Sequence, residues 1–303
     1  MASKFSAFLT ISRANIQVAT IPHALIGISL AANGIEDILT IFTLLYVFLC
    51  ILLITFASNI NCLYDRDVDR HYKIHLYKAT ELLGLQTVKY ILAVEMIVAL
   101  IITLFFYING YFITSILSLL GIGIGIIYSA IPPRVKACGI FSPFPVLFGL
   151  YMLPILGGWF LIKDVVNFYF IIFLIGYAFM NEGFVLINTC EDYAEDKIEG
   201  ISTWAHVFGL RRTLHISFAF ALTGILCLPI IVKKALPFVD IWSMASLLFT
   251  ILFIIFLVVS AKDIYNASKG DVEKSVKIYA KKMPIWFMST RYPLFLSIFL
   301  TLF

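Results

Sequence analysis

Long apolar runs alternate with short polar segments along the whole chain, and that alternation predicts membrane helices. Nine runs stand out, at 16–32, 38–63, 88–108, 112–131, 140–162, 165–189, 214–232, 238–261 and 284–303. Most approach or exceed the ~20 residues a helix needs to cross a bilayer core. The first is slightly short, and the last contains Arg291. The pattern predicts an all-α polytopic membrane protein. We expect nine transmembrane helices around a central cavity in a single domain, 1–303, with a pseudo-repeat of 14–131 and 140–303.

The polar segments carry the chemistry. Asn61, Asp65 and Asp69 follow the second run at a spacing of four, so on a helix they share one face, each ~6 Å beyond the last. The pattern recurs at Asn188, Asp192 and Asp196 after the sixth run, displaced by 127 residues, and Arg70 and Lys197 keep the same offset. One such segment would read as a solvated acidic helix end; two in register weigh against that. Hard carboxylate oxygens at the mouth of an apolar protein suit Mg²⁺, which binds through one or two carboxylates per ion plus substrate phosphates. An acidic, metal-filled cleft above an apolar interior suits a substrate with a diphosphate head and a hydrocarbon tail. Lys136 and Tyr128, in the segment after the fourth run, are placed to donate to the same oxygens.

Composition and charge sharpen this. The chain is 61% hydrophobic and 13% charged over 303 residues, against about 25% charged in soluble domains, and its mean hydropathy is +0.99. A net charge of +4 does not point to nucleic acid. With nine spans, Lys163, Lys233 and Lys234 lie on one side, and the other 19 of the 22 basic residues lie on the opposite one or, as Lys89 and Arg291, in the part of a span that opens from it. The positive-inside rule makes that richer side cytoplasmic. Both acidic segments and residues 128–136 fall on it. The five cysteines, an odd number in or beside apolar runs, read as small buried residues. No removable signal peptide is expected.

Several other residues invite a role. Arg13, Asn15 and Gln17 read as an interfacial anchor or, as the weaker alternative, a direct substrate contact, and Pro22 and Pro154 as helix kinks. Glu95, two turns inside the third run, either pairs with a cation or stays protonated. Gly121 and Gly125 read as a small-residue contact between helices. Asn181 shares the face of Asn188 about 10 Å deeper, as an interhelical hydrogen bond or a cavity-lining group. His71, His75 and His206 lack metal-ligand spacing and read as loop histidines. Val272, Val276, Tyr279 and Met283 form one face of a basic amphipathic helix expected on the membrane surface.

Three motifs resemble those of the UbiA superfamily of intramembrane prenyltransferases, and the resemblance covers nearly the whole chain. The family's first motif, N-D-x2-D-x3-D, is matched by Asn61, Asp65 and Asp69, with Cys62 in place of the first aspartate. Its second motif is matched by Asp192, Asp196, Lys197, Gly200 and Thr203. Its Y-S-x2-P-x3-K motif is matched by Tyr128, Ser129, Pro132 and Lys136. Many members carry Arg-Pro where this chain has Lys78-Ala79, so the charge is kept but the planar fork of arginine is not. The resemblance implies two Mg²⁺ ions bridging a prenyl diphosphate between the acidic motifs. Asp65, Asp69, Asp192, Asp196, Asn61 and Asn188 would be the ligands, and Lys136 and Tyr128 would assist. Lys78, Lys197, Ser129 and Asn181 are the further expected substrate contacts.

The function expected is prenyl transfer at the membrane from a prenyl diphosphate to a lipophilic acceptor, an aromatic quinone precursor or, alternatively, a glycerol-phosphate ether-lipid precursor. A cation transporter with an internal repeat is the competing class. Transporter sites sit near the bilayer midplane on broken helices, whereas these aspartates follow the apolar runs.

Overall fold

The computed structural model describes residues 3–130, 132–235 and 240–303. The side chain of Asn15, expected at the inner end of the first span, and the whole of Phe238, expected to open the eighth, lie outside what is described. Among those described, regular structure is helical, apart from one isolated bridge between Cys138 and Ser202.

We label the long helical segments α1 (Ala14–Ala31), α2 (Ile41–Tyr64), α3 (Leu85–Ile108), α4 (Phe112–Ser129), α5 (Gly139–Trp159), α6 (Phe168–Glu191), α7 (Leu210–Ala235), α8 (Ile241–Ala267) and α9 (Met283–Leu300). Seven of them, α2 to α8, are long and apolar enough to cross a membrane. The apolar stretch of α1, Thr20–Ala31, is shorter than that. In α9, Arg291 and Pro293 interrupt the apolar run. The expected nine spans are therefore met by these criteria at seven. Both remaining helices still join the bundle, α9 packing along α8 and against α1.

Of the seven, α6 is the most deeply placed, with 72% of its apolar window buried against 28–39% in the other six. Being surrounded by protein rather than lipid lets it carry Asn181, Glu182 and Asn188. The buried apolar side chains form two main clusters, one drawn chiefly from α6 to α9 and the other from α2 and α3 with parts of α1.

Pro154 distorts α5 as expected. The segment begins as a 3₁₀ turn, widens into a π-helix over Val146–Met152, and becomes regular from Leu153. A proline nitrogen cannot donate to the carbonyl one turn back, and the wider turn re-routes those bonds. A Cβ on Gly125 would sit 3.4 Å from that of Ala57, so the bare backbone of α4 meets α2 closely there. The basic segment differs from expectation. It is a helix over Val272–Tyr279 whose apolar face packs on the bundle, with Val276 and Ala280 inside the core, so protein rather than lipid covers that face.

Candidate active site

Both acidic motifs are built the same way. α2 ends at Tyr64, Asp65 caps it, and a short helix, Arg66–Tyr72, begins at once. α6 ends at Glu191, Asp192 caps it, and the helix Tyr193–Ile198 follows. The i→i−4 amide bonds continue through each break, from Asp65 to Asn61 (2.8 Å) and Asp69 to Asp65 (2.7 Å), and from Asp192 to Asn188 (3.0 Å) and Asp196 to Asp192 (2.9 Å). The polar residues therefore stay on one face. Each asparagine donates through Nδ2 to the aspartate one turn on, Asn61 to Asp65 at 2.7 Å and Asn188 to Asp192 at 3.3 Å.

Cations converge on these carboxylates. Lys136 Nζ bonds directly to one oxygen of Asp65, and Arg134 Nη2 reaches the other at 2.9 Å. Arg13 Nη2 donates to Asn61 Oδ1 at 2.9 Å, and Asn61 Nδ2 also reaches Ser129 Oγ at 3.1 Å. Lys73 lies 3.7 Å from Asp192 and ties the first motif's loop to the second motif. Arg13 and Arg134 are the only non-glycine residues with positive φ among the described residues, at 49° and 45°. That conformation costs a residue with a Cβ of order 1 kcal/mol or more. Here both strained positions deliver a guanidinium to the same Asn61–Asp65 pair. The loop carrying Lys136 is tied to the segment after the second motif by Gly139 N–H donating to Ser202 O (2.9 Å) and Trp204 Nε1–H to Ile140 O (2.7 Å).

Asp69 and Asp196 have no side-chain hydrogen bond or ion pair among the described residues. Burial and the neighbouring Asp65 push the Asp69 carboxyl up to about 6. Burial and the neighbouring Asp192 push Asp196 up to about 7. Burial pulls the Lys136 ammonium below its ordinary value, against the opposing pull of Asp65. No group of three or more His, Cys, Asp or Glu stands close enough to hold a metal alone among the described residues. The carboxylates come instead as two pairs, each one helical turn apart, with one member of each pair left without a counter-charge. That donor set fits Mg²⁺, which needs only one or two carboxylates per ion when phosphate and water complete the shell.

Asn61, Asp65, Asp69, Tyr128, Lys136, Asn188, Asp192 and Asp196 all line one cavity of about 430 Å³, which runs from these motifs into the bundle interior. Four other expected residues do not line it. Lys78 and Lys197 are exposed on their short helices and point to solvent. Ser129 is buried behind Asn61. Asn181 is buried in the bundle, where it accepts from Arg291 Nε at 2.6 Å, so the interhelical alternative holds. Residues not anticipated there include Lys73, Glu182 and Arg291, all in the cavity wall, and Arg134 on Asp65. Arg13, expected as an anchor, lines the cavity instead. Glu95 accepts from Asn59 Nδ2 at 2.7 Å rather than pairing with a cation. His206 caps its helix through Thr203 and stacks on Tyr193 at 4.5 Å, while His71 and His75 are exposed.

The UbiA prenyltransferase family model matches residues 20–288. The chain belongs to this family. Solved structures share its fold at low identity. A UbiA homologue from Archaeoglobus fulgidus bound to DMAPP and Mg²⁺ superposes with a TM-score of 0.67 at 18% identity, over 94% of this chain and 99% of that one. The same homologue bound to GPP and Mg²⁺ gives 0.63 at 18%, over 94% and 99%. A digeranylgeranylglyceryl phosphate synthase gives 0.65 at 20%, over 98% and 99%. No curated protein matches the chain. The one departure within the first UbiA motif, Cys62, is only 1% exposed, with its thiol 3.7 Å from Ile11 O and outside the cavity wall.

Proposed function

We propose that this UbiA-family prenyltransferase uses one site, shared by both acidic motifs, to transfer a prenyl group from a prenyl diphosphate to a lipophilic acceptor, with an aromatic quinone precursor as the leading acceptor class. The observation that carries this reading is a single cavity lined at its mouth by Asp65, Asp69, Asp192 and Asp196 and deeper down by apolar side chains such as Leu49, Leu53 and Ile124. Mg²⁺, two ions in our reading, would be held by the four aspartates with Asn61 and Asn188, and would supply Lewis-acid stabilisation of the charge on the departing pyrophosphate.

The chain's own groups do the rest. Asn61 and Asn188 hold Asp65 and Asp192 in place through their amide donors. Lys136 and Arg134 turn from Asp65 towards the diphosphate as it enters, supplying charge-assisted donors. The C1–O bond breaks and its electron pair leaves with pyrophosphate. The allylic cation left behind faces the Tyr128 ring, whose centroid lies 5.8 Å from Lys136 Nζ, and aromatic faces stabilise such charge. The acceptor nucleophile then bonds to C1 and passes its proton to the released pyrophosphate. The apolar wall keeps water from capturing the cation.

A glycerol-phosphate ether acceptor is the second reading. Arg13 and Lys73 line the mouth in addition to the cations on Asp65, and a phosphate-bearing acceptor would use them. We further propose that α1 and α9 cross the bilayer with the other seven helices and that the mouth faces the cytoplasm. The deciding experiment incubates purified protein with prenyl diphosphates, Mg²⁺ and a panel of aromatic and glycerol-phosphate acceptors, read by mass spectrometry. Mg²⁺-dependent pyrophosphate release with a prenylated product supports the reading. No release with any donor refutes it.

A further inference from the structure

The cavity ends in a built floor. On α2 it runs from the acidic motif past Ala57, Leu53 and Leu49 to Tyr46, and Leu117 and Pro154 meet it there from α4 and α5. The Tyr46 ring is 3% exposed. Its hydroxyl donates to the Pro154 carbonyl at 2.9 Å and lies 3.3 Å from that of Leu153, which pins the ring across the gap between α2 and α5. Gly157 makes room for it, since a Cβ at that position would stand 2.1 Å from the Tyr46 oxygen. Phe106 backs the ring edge-on, with centroids 6.1 Å apart. One helical turn further out lies a second, separate cavity of about 300 Å³, lined by Glu36, Asp37 and Thr40 as well as Phe42, Thr43 and Tyr111. Tyr46 thus closes the deep end of the first cavity.

The depth above it sets a length. From Asn61, which the proposed donor site places at the diphosphate end, to Tyr46 is 15 residues of continuous helix, or about 22 Å at 1.5 Å per residue. An extended isoprenyl unit adds four chain carbons, about 5 Å at ordinary C–C bond lengths. About four units therefore fill the distance. The tail's path is also defined. The α2–α4 wall is mainly apolar, with Leu49, Leu53, Ile54, Leu117 and Ile124, whereas Tyr151, Glu182 and Arg291 line the cavity from α5, α6 and α9. Methylenes gain nothing against those polar atoms.

We infer that Tyr46 is the floor of the donor tail site and that it makes the preferred donor a prenyl diphosphate of four isoprenyl units, C20. This rests on the proposed prenyl diphosphate donor and adds its length and the residue that measures it. A fifth unit meets a pinned aromatic ring and has to fold back or leave the cavity.

The test is equilibrium binding of labelled C10, C15, C20, C25 and C40 prenyl diphosphates to the full chain in nanodiscs with Mg²⁺. Affinity should rise with each unit to C20 and drop by about tenfold or more at C25 and C40, because buried CH₂ groups drive binding only while there is room for them. Tyr46→Ala removes the ring from the floor, frees space there, and should bring C25 to within about threefold of C20. Tyr46→Phe keeps the ring and should keep the wild-type profile. Leu117→Trp raises the floor and should weaken C20 about tenfold while sparing C15, giving a second test should Tyr46→Ala not fold. Equal binding of C40 and C20 by the wild type would mean that the tail leaves sideways, and would overturn the inference. So would an unchanged cut-off in folded Tyr46→Ala or in Leu117→Trp. Absence of binding at every length would instead remove the donor reading itself, and the floor with it.

Discussion

Replacing Lys136 with methionine separates its two possible duties. It keeps most of the apolar stem and removes the cation. Lys136 and Asp65 are nearly dry, with side chains 13% and 11% exposed. Removing one partner of a buried pair costs ~3–5 kcal/mol when the other charge is left alone. Asp65 is not left alone, because Arg134 Nη2 remains at 2.9 Å and Asn61 Nδ2 at 2.7 Å. The stability loss should therefore fall to about 1 kcal/mol, the net worth of one hydrogen bond. Turnover has no such substitute if the ammonium moves onto the diphosphate. A hydrogen bond to a charged group contributes ~1.5–3 kcal/mol, so its loss from the transition state slows the reaction roughly 10- to 150-fold. The assay is Mg²⁺-dependent pyrophosphate release, beside thermal unfolding followed by tryptophan fluorescence. Lys136→Arg retains charge and should lose less than Lys136→Met. Unchanged turnover in folded Lys136→Met would confine Lys136 to holding Asp65 and refute its action on the substrate.

Three further outcomes are expected. Asp65→Ala and Asp192→Ala should each remove most turnover and the double variant little more, because residues acting as a unit lose function at the first deletion; multiplicative losses in folded protein would mean two separate sites. The metal-free protein should gain stability as pH falls, because Asp69 and Asp196 are raised to about 6 and about 7 from an unfolded value near 3.9. Between those limits the folded state binds more protons than the unfolded one, so stability declines from about pH 4 to pH 7. Melting temperatures in chelator at pH 5 and pH 8 should show the difference, and Asp69→Asn with Asp196→Asn should flatten it; a higher melting temperature at pH 8 would reverse the sign. Finally, a cysteine replacing exposed Asp67 should resist an impermeant thiol reagent applied from outside the cell, while one at Lys163 reacts; the opposite pattern would invert the orientation.

The helical spans, the two acidic motifs and the family were legible in the sequence because each rests on local order. Twenty apolar residues need a helix in lipid whatever surrounds them, and a spacing of four places Asn61, Asp65 and Asp69 on one face whatever they meet. Lys136 and Tyr128 were legible because a motif carries them. What the sequence did not disclose depends on residues far apart in the chain. Arg13 reaches Asn61 across 48 positions, and Arg134 reaches Asp65 across 69. Both do so from left-handed backbone that no residue pattern announced. Lys73 sits where one short helix ends and the next begins and lines the cavity, while Lys78, on the second of those helices, is exposed, so two nearby lysines meet different surroundings. Asn181 is hidden and Glu182 lines the cavity although they are adjacent, because successive residues on a helix point about 100° apart and α9 covers only one of the two directions. Tyr46 lies in an apolar run like any other aromatic residue. Its place as a floor comes from the carbonyls of α5 and the missing side chain of Gly157, more than 100 residues away. Local spacing sets which face a residue takes; packing between distant segments sets what that face meets.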